Sequence, residues 1–183
     1  MSRFGNDSFA RRAGLVAAGQ TAVKATQLVL AIALVRLLDP DQWNATAFLL
    51  TIYLAATTIG TLNVQHGIVF FLPRVDAAER ASFVFRTMAL LAGIGALIWA
   101  GLTVAAPALS GGRLADAEQV SWLGLAIALE LPTVCVPMSL VAVDRFGRAA
   151  LWDLGGTAII LTATIVPAAT GAGTFGVVTG LVV

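Results

Sequence analysis

The chain has 183 residues, 58% of them hydrophobic and 11% charged, with a mean hydropathy of +0.90. Soluble domains carry about 25% charged residues, so this balance excludes an ordinary soluble core. The formal net charge is +1, and no basic cluster is interleaved with aromatics, so the pattern points away from a nucleic-acid partner.

In chain order, the apolar patterning predicts helices at about 13–38, 43–72, 80–106, 119–143 and 149–170, then an incomplete one at 173–183. The first five each hold about 20 or more largely apolar residues. At roughly 1.5 Å per residue, each can cross a hydrocarbon core about 30 Å thick. The expected fold is an all-α integral membrane bundle of about six transmembrane helices. Arg3, Arg11 and Arg12 precede the first helix, Arg74, Arg80 and Arg86 lie around the second gap, and Arg145 and Arg148 lie in the fourth. The positive-inside rule makes those segments, and the amino terminus, cytoplasmic. Met1 to Gly14 sets a basic stretch before an apolar one, as a signal peptide does. The apolar stretch is too long for one, contains Lys24, and lacks a small-residue cleavage site, so it reads as a retained helix. Ten arginines against one lysine point to a GC-rich bacterial genome.

Polar residues inside the runs carry the functional signal. At about 100° per residue, Gln20, Lys24 and Gln27 share one arc of the first helix with Ala13, Ala17 and Ala31. A lysine at mid-depth costs roughly 2.5–3.5 kcal/mol on insertion scales. It is therefore expected either to be tied to a carbonyl or carboxylate for packing, or to face a watery cavity and its ligand. In the second helix Thr51, Thr58 and Gln65 recur every seven residues, with Thr61 and His66 beside them. The third helix carries Ala92, Ala96 and Ala100 beside Gly93 and Gly101, a small-residue pattern that predicts its packing face. The fourth holds Glu130 ahead of Pro132 and Pro137. These prolines free carbonyls four residues back and bend the helix, which makes a plausible cation or proton site. A salt bridge from Glu130 to Lys24 is the competing expectation. On the fifth helix Asp153, Thr157 and Thr164 share a face, and Asp153 also suits a helix amino terminus as a simple cap.

Cys135 is the single cysteine and His66 the single histidine, so no disulfide within the chain and no metal centre is expected. Without a nucleophile–base spacing or a metal-ligand motif, the sequence reads as a non-enzyme with no catalytic residues and no cofactor.

Four stretches carry a family resemblance. The first is Thr26-Gln27-Leu28-Val29-Leu30 running into Val35-Arg36-Leu37-Leu38-Asp39-Pro40-Asp41-Gln42-Trp43-Asn44. The second is Gly67-Ile68-Val69-Phe70-Phe71-Leu72-Pro73-Arg74, and the third Asp144-Arg145-Phe146-Gly147-Arg148-Ala149-Ala150-Leu151. The fourth is Gly171-Ala172-Gly173-Thr174-Phe175-Gly176-Val177-Val178. Together they resemble the amino-terminal half of bacterial polysaccharide (O-antigen-type) flippases, within the multidrug/oligosaccharidyl-lipid/polysaccharide exporter superfamily. Asp39 and Asn44 stand where that family has glycines. The resemblance implies one lobe of a two-lobe exporter in the bacterial cytoplasmic (inner) membrane. Its implied substrate is a lipid-linked glycan, an undecaprenyl-pyrophosphate oligosaccharide for surface polysaccharide or lipopolysaccharide biosynthesis. Lys24, helped by Gln20 and Gln27, would attract the pyrophosphate, and Thr51, Thr58 and Gln65 would hydrate the sugar path. Glu130, then Asp153, would couple a proton or sodium ion. The chain is expected to be an amino-terminal fragment that works with a carboxy-terminal lobe or a homodimer partner. A cation-coupled small-molecule exporter of the same fold and a non-transporting membrane scaffold are the alternatives.

Overall fold

The computed structural model describes residues 14, 21, 24–26, 28–110 and 115–182. Among these, helices alternate with short turns and no strand occurs. Residues 28–37 form α1. It is followed by α2 (Pro40–Gly60), α3 (Val64–Phe71), a 3-10 turn at Leu72–Arg74, α4 (Arg80–Ser110), α5 (Ala117–Thr133), α6 (Cys135–Ala142), α7 (Phe146–Ala169) and α8 (Gly173–Gly180). Among the described residues, four stretches are long and apolar enough to cross a membrane: Pro40–Arg74, Arg80–Leu109, Ala117–Ala142 and Phe146–Ala169. Their outward faces carry large apolar side chains such as Phe85, Leu97, Val104 and Leu151, each more than 70% exposed. That arrangement suits a hydrocarbon solvent, which satisfies such groups and leaves the backbone to bond within its own helix. Residues 13, 15–20, 22, 23 and 27 of the first predicted helix, 13–38, lie outside the described residues.

Local chemistry sets the ends. Asp39 is extended before α2 (φ −65°, ψ 157°), Pro40 takes the first turn, and Asp41 adds a negative charge there. The second predicted helix, 43–72, is in fact two. Leu62 and Asn63 both take left-handed backbone (φ 46° and 56°) between α2 and α3. Asparagine tolerates that region, and two successive residues in it end an α-helix. The third predicted helix, 80–106, runs on as α4 through Pro107 to Ser110. So close to the helix end, a proline forfeits a single intrahelical bond. The fourth run is interrupted at Val134, between Pro132 and Pro137. Paired Schellman turns then close α6 and α7. Asp144 N–H bonds to Val141 O at 3.1 Å and Arg145 N–H to Leu140 O at 2.8 Å. Gly171 N–H bonds to Ala168 O at 3.3 Å and Ala172 N–H to Pro167 O at 2.9 Å. Asp144 (φ 61°) and Gly171 (φ 84°) hold the left-handed position such a turn requires.

The main core joins Leu49 of α2, Ile68 of α3, Leu91 of α4, Leu123, Ile127 and Leu131 of α5, Cys135 of α6 and Val178 of α8. Leu34 and Leu38 pack with Ala168 and Val177 in a smaller cluster. Its packing device differs from the predicted one. Ala92, Ala96 and Ala100 are exposed, and a methyl added at Gly93 or Gly101 would meet nothing within 4 Å. The intimate contact is at Gly95, where an added Cβ would lie 2.7 Å from the Ala128 Cα. Gly124 sits correspondingly close to Trp99, where an added Cβ would lie 2.9 Å from the ring. A stripe of small residues marks where helices can approach, but the large residues flanking it decide where they do. Gly95→Leu is expected to destabilise the protein by about 1–3 kcal/mol, read as earlier thermal unfolding in detergent, whereas Gly101→Ala should unfold with the wild type.

Candidate functional site

The α4–α5 contact sets the orientation of Glu130. Ala128 faces α4, and two residues on, about 200° further round the helix, the Glu130 carboxylate points toward α2 and α7. There its Oε2 accepts a hydrogen bond from the hydroxyl of Tyr53. Tyr53, the only tyrosine in the chain, sits mid-way along α2. Two cavities, of about 410 and 470 Å³, share a wall made of Tyr53, Glu130, Ile160 and Leu181. The first opens between α5 and α7, past Leu129, Thr133 and Trp152. The second is bounded by Thr26 and Leu34 near α1, Thr57 of α2 and Thr157 of α7.

Three threonines of this crevice share one habit. Thr57 donates to the carbonyl of Tyr53 at 2.8 Å, Thr133 to that of Glu130 at 2.6 Å, and Thr157 to that of Asp153 at 2.6 Å. A threonine hydroxyl has one hydrogen, and back-bonding commits it. What Thr57, Thr133 and Thr157 present to the crevice is therefore oxygen lone pairs. Together with the carboxylate they set a few acceptors into an otherwise largely apolar lining, suited to ligands that donate: a cation, a proton or sugar hydroxyls. Among the described residues, no buried side-chain nitrogen or oxygen lacks a partner, and no three His, Cys, Asp or Glu side chains gather as a metal set.

The predicted site residues are distributed unevenly about this crevice. Glu130 is at its centre, partnered by Tyr53, which the sequence reading did not name. Lys24 is exposed, and Gln20 and Gln27 lie outside the described residues. Thr51 is exposed and bonds back to Ala47 O at 2.8 Å, and Thr58 is exposed too. Neither lines the crevice. The inward face of α2 is instead Thr46, Leu49, Tyr53, Thr57 and Gly60. The seven-residue recurrence of Thr51, Thr58 and Gln65 identified a polar stripe without saying which way it turns. Gly60, tucked against Leu131 and Ile98, orients the helix the other way. Gln65 lines a separate cavity with His66 and Arg74. Asp153 is half-buried on α7 and lines neither cavity of the crevice; its carbonyl holds Thr157. The signal that pointed to Tyr53 was its solitary phenol in a mid-membrane position, four residues before Thr57 on the same face.

Comparison with protein-family models, with curated proteins and with solved structures finds no match to this chain. Among the described residues the chain is all-helical, with four helices long and apolar enough to cross a membrane, and the Glu130 carboxylate lies at the wall shared by two largely apolar cavities.

The hydrogen bond at the shared wall should be measurable. Tyr53→Phe is expected to lower stability by about 1–3 kcal/mol, because the carboxylate loses its donor where water cannot easily replace it. In a Glu130→Gln background the same change should cost less. A double-mutant cycle of unfolding in detergent reads that difference directly.

Proposed function

We propose that this chain is one helical lobe of an exporter in the bacterial inner membrane, its amino terminus cytoplasmic. It would flip a lipid-linked oligosaccharide, an undecaprenyl-pyrophosphate glycan, toward the periplasmic leaflet for cell-surface polysaccharide synthesis. Two things support the reading: the sequence resemblance at the helix joints, and the acceptor-bearing crevice around Glu130 and Tyr53 within helices that suit a bilayer. The crevice is the observation that carries it. Ionisable groups at membrane depth are costly, and they mark substrate or ion paths. In this proposal sugar hydroxyls donate to Thr57, Thr133 and Thr157 as they pass. Glu130 binds the coupling proton or sodium ion, and Tyr53 holds the carboxylate when that ion is gone. Lys24 meets the pyrophosphate. Alternating access then needs a second lobe, supplied by further chain or by a homodimer partner, against which this lobe rocks.

A second reading has an observation of its own. Each cavity is the size of a drug-like ligand, and Tyr53 and Trp152 give the first an aromatic wall. Those features favour a cation-coupled small-molecule exporter of the same fold. In the scaffold alternative the crevice would be sealed by partner helices.

A flippase-deficient bacterial strain given the full-length gene separates the three. Wild type should restore surface glycan, Glu130→Gln should cut export by about tenfold or more, and Thr58→Val on the exposed face should behave as wild type. Normal export by both Glu130→Gln and Lys24→Ala would remove the flippase assignment, and altered drug susceptibility without glycan export would favour the second reading. Cysteines introduced at Thr57 or Thr157 in a Cys135→Ala background are expected to react with hydrophilic thiol reagents in membranes; resistance at both positions would favour the scaffold.

A further inference from the structure

The third cavity, of about 820 Å³, lies away from the Glu130 crevice, along the outer side of α3 and the 3-10 turn that follows it. His66, Phe70 and Arg74 are spaced four apart and make one stripe along its wall, Gln65, Val69 and Pro73 make the next, and Met138 of α6 closes it. We propose that this cleft is a binding site for the phosphate-bearing headgroup of a membrane lipid, recognised by Arg74, His66 and Gln65.

Three observations carry the proposal. Arg74 is held in place before any ligand arrives. Its guanidinium carbon lies 3.7 Å from the centroid of the Phe70 ring, and its Nη1 donates to the Phe70 carbonyl. The Phe70 ring is braced in turn by Phe71, edge-on with centroids 5.0 Å apart. A guanidinium has five N–H donors in a planar fork, and stacking fixes the plane while leaving most of that fork for a phosphate. The lining also divides chemically. Arg74, His66 and Gln65 supply donors, whereas Val69, Phe70 and Met138 are apolar, and among the described residues no Asp or Glu lines the cleft. An anion joined to a hydrocarbon body fits both halves. Finally, the cleft sits at the Arg74 end of the membrane-crossing stretch Pro40–Arg74, next to Arg80 at the start of α4. Headgroups lie at that depth, and basic pockets between helices there take anionic lipids. A free phosphate would use the donors and leave the apolar half of the cleft idle, so the lipid is the occupant.

Native mass spectrometry on the purified, delipidated protein tests this with three probes: phosphatidylglycerol, diacylglycerol and inorganic phosphate. Phosphatidylglycerol should be retained, diacylglycerol should not, and inorganic phosphate should neither bind detectably nor compete. Arg74→Gln should weaken retention about tenfold or more, and Arg74→Lys nearly as much, because a lysine keeps the charge but loses the fork. His66→Ala, at an exposed position that leaves the fold intact, should weaken it several-fold. Equal retention of phosphatidylglycerol and diacylglycerol would overturn the proposal. So would undiminished phosphatidylglycerol binding in His66→Ala together with a folded Arg74→Gln, or inorganic phosphate binding as tightly as the lipid.

Discussion

The close approach of α4 and α5 at Gly95 is the constraint on which the rest of the molecule turns. In a hydrocarbon solvent no hydrophobic force pushes helices together, so van der Waals contact has to do it. That contact needs a residue without a side chain on one helix and a slim backbone on the other. Gly95 against Ala128, with Gly124 against Trp99, supplies it twice over a short length. Once the pair is locked, the rotation of α5 is no longer free. Leu123, Ile127 and Leu131 become core, and Glu130 is left facing the space between α2 and α7. Comparable contacts repeat at the other end of the chain, where Gly180 lies against Ala163 and Gly176 against Pro167. These seat α8 on α7 and bring Leu181 to the wall of the crevice.

What that rotation achieves is electrostatic. A carboxylate at membrane depth is tolerable only with a donor at hand, and Tyr53 is that donor. The same segment that offers the phenol also offers Thr57, and Thr57, Thr133 and Thr157 each turn the hydroxyl hydrogen back to their own helix. Hydroxyls that would be ambivalent in water thereby become one-sided acceptors. The polarity of the crevice is thus produced by backbone hydrogen bonding as much as by residue choice. A second polar clasp, unconnected with the crevice, holds α2 to α8. Thr46 donates to Thr174 at 3.4 Å, and Thr174 to the Gln42 carbonyl at 3.1 Å.

Donors and acceptors are segregated along the molecule. Mid-membrane, the crevice gathers acceptors; at the end of α3, Arg74, His66 and Gln65 gather donors. The break at Leu62 and Asn63 separates the two. It lets α3 meet α6 on its own axis instead of continuing the line of α2, so residues at one helical period in the sequence serve two different surfaces.

Hydropathy and length were enough, from sequence alone, to mark the four stretches that form helices long enough to cross a membrane, because a bilayer demands about 20 apolar residues wherever a helix crosses it. Glu130 was legible for the same reason: an ionisable group in such a stretch stands out from its surroundings. The facing of each helix was not legible. Around α2 and α4 the lipid-exposed side is as apolar as the packed side, so periodicity has no contrast to work with. It singled out Thr51, Thr58 and the Ala92–Ala96–Ala100 stripe, all of which turn outward. Only the tertiary structure chose Tyr53 as the partner of Glu130, broke the second run at Leu62 and Asn63, and carried α4 through Pro107. The pairing of Tyr53 with Glu130 rests on contacts between segments distant in sequence, above all the fit of glycines against neighbouring backbones and side chains, and no local pattern encodes such a fit.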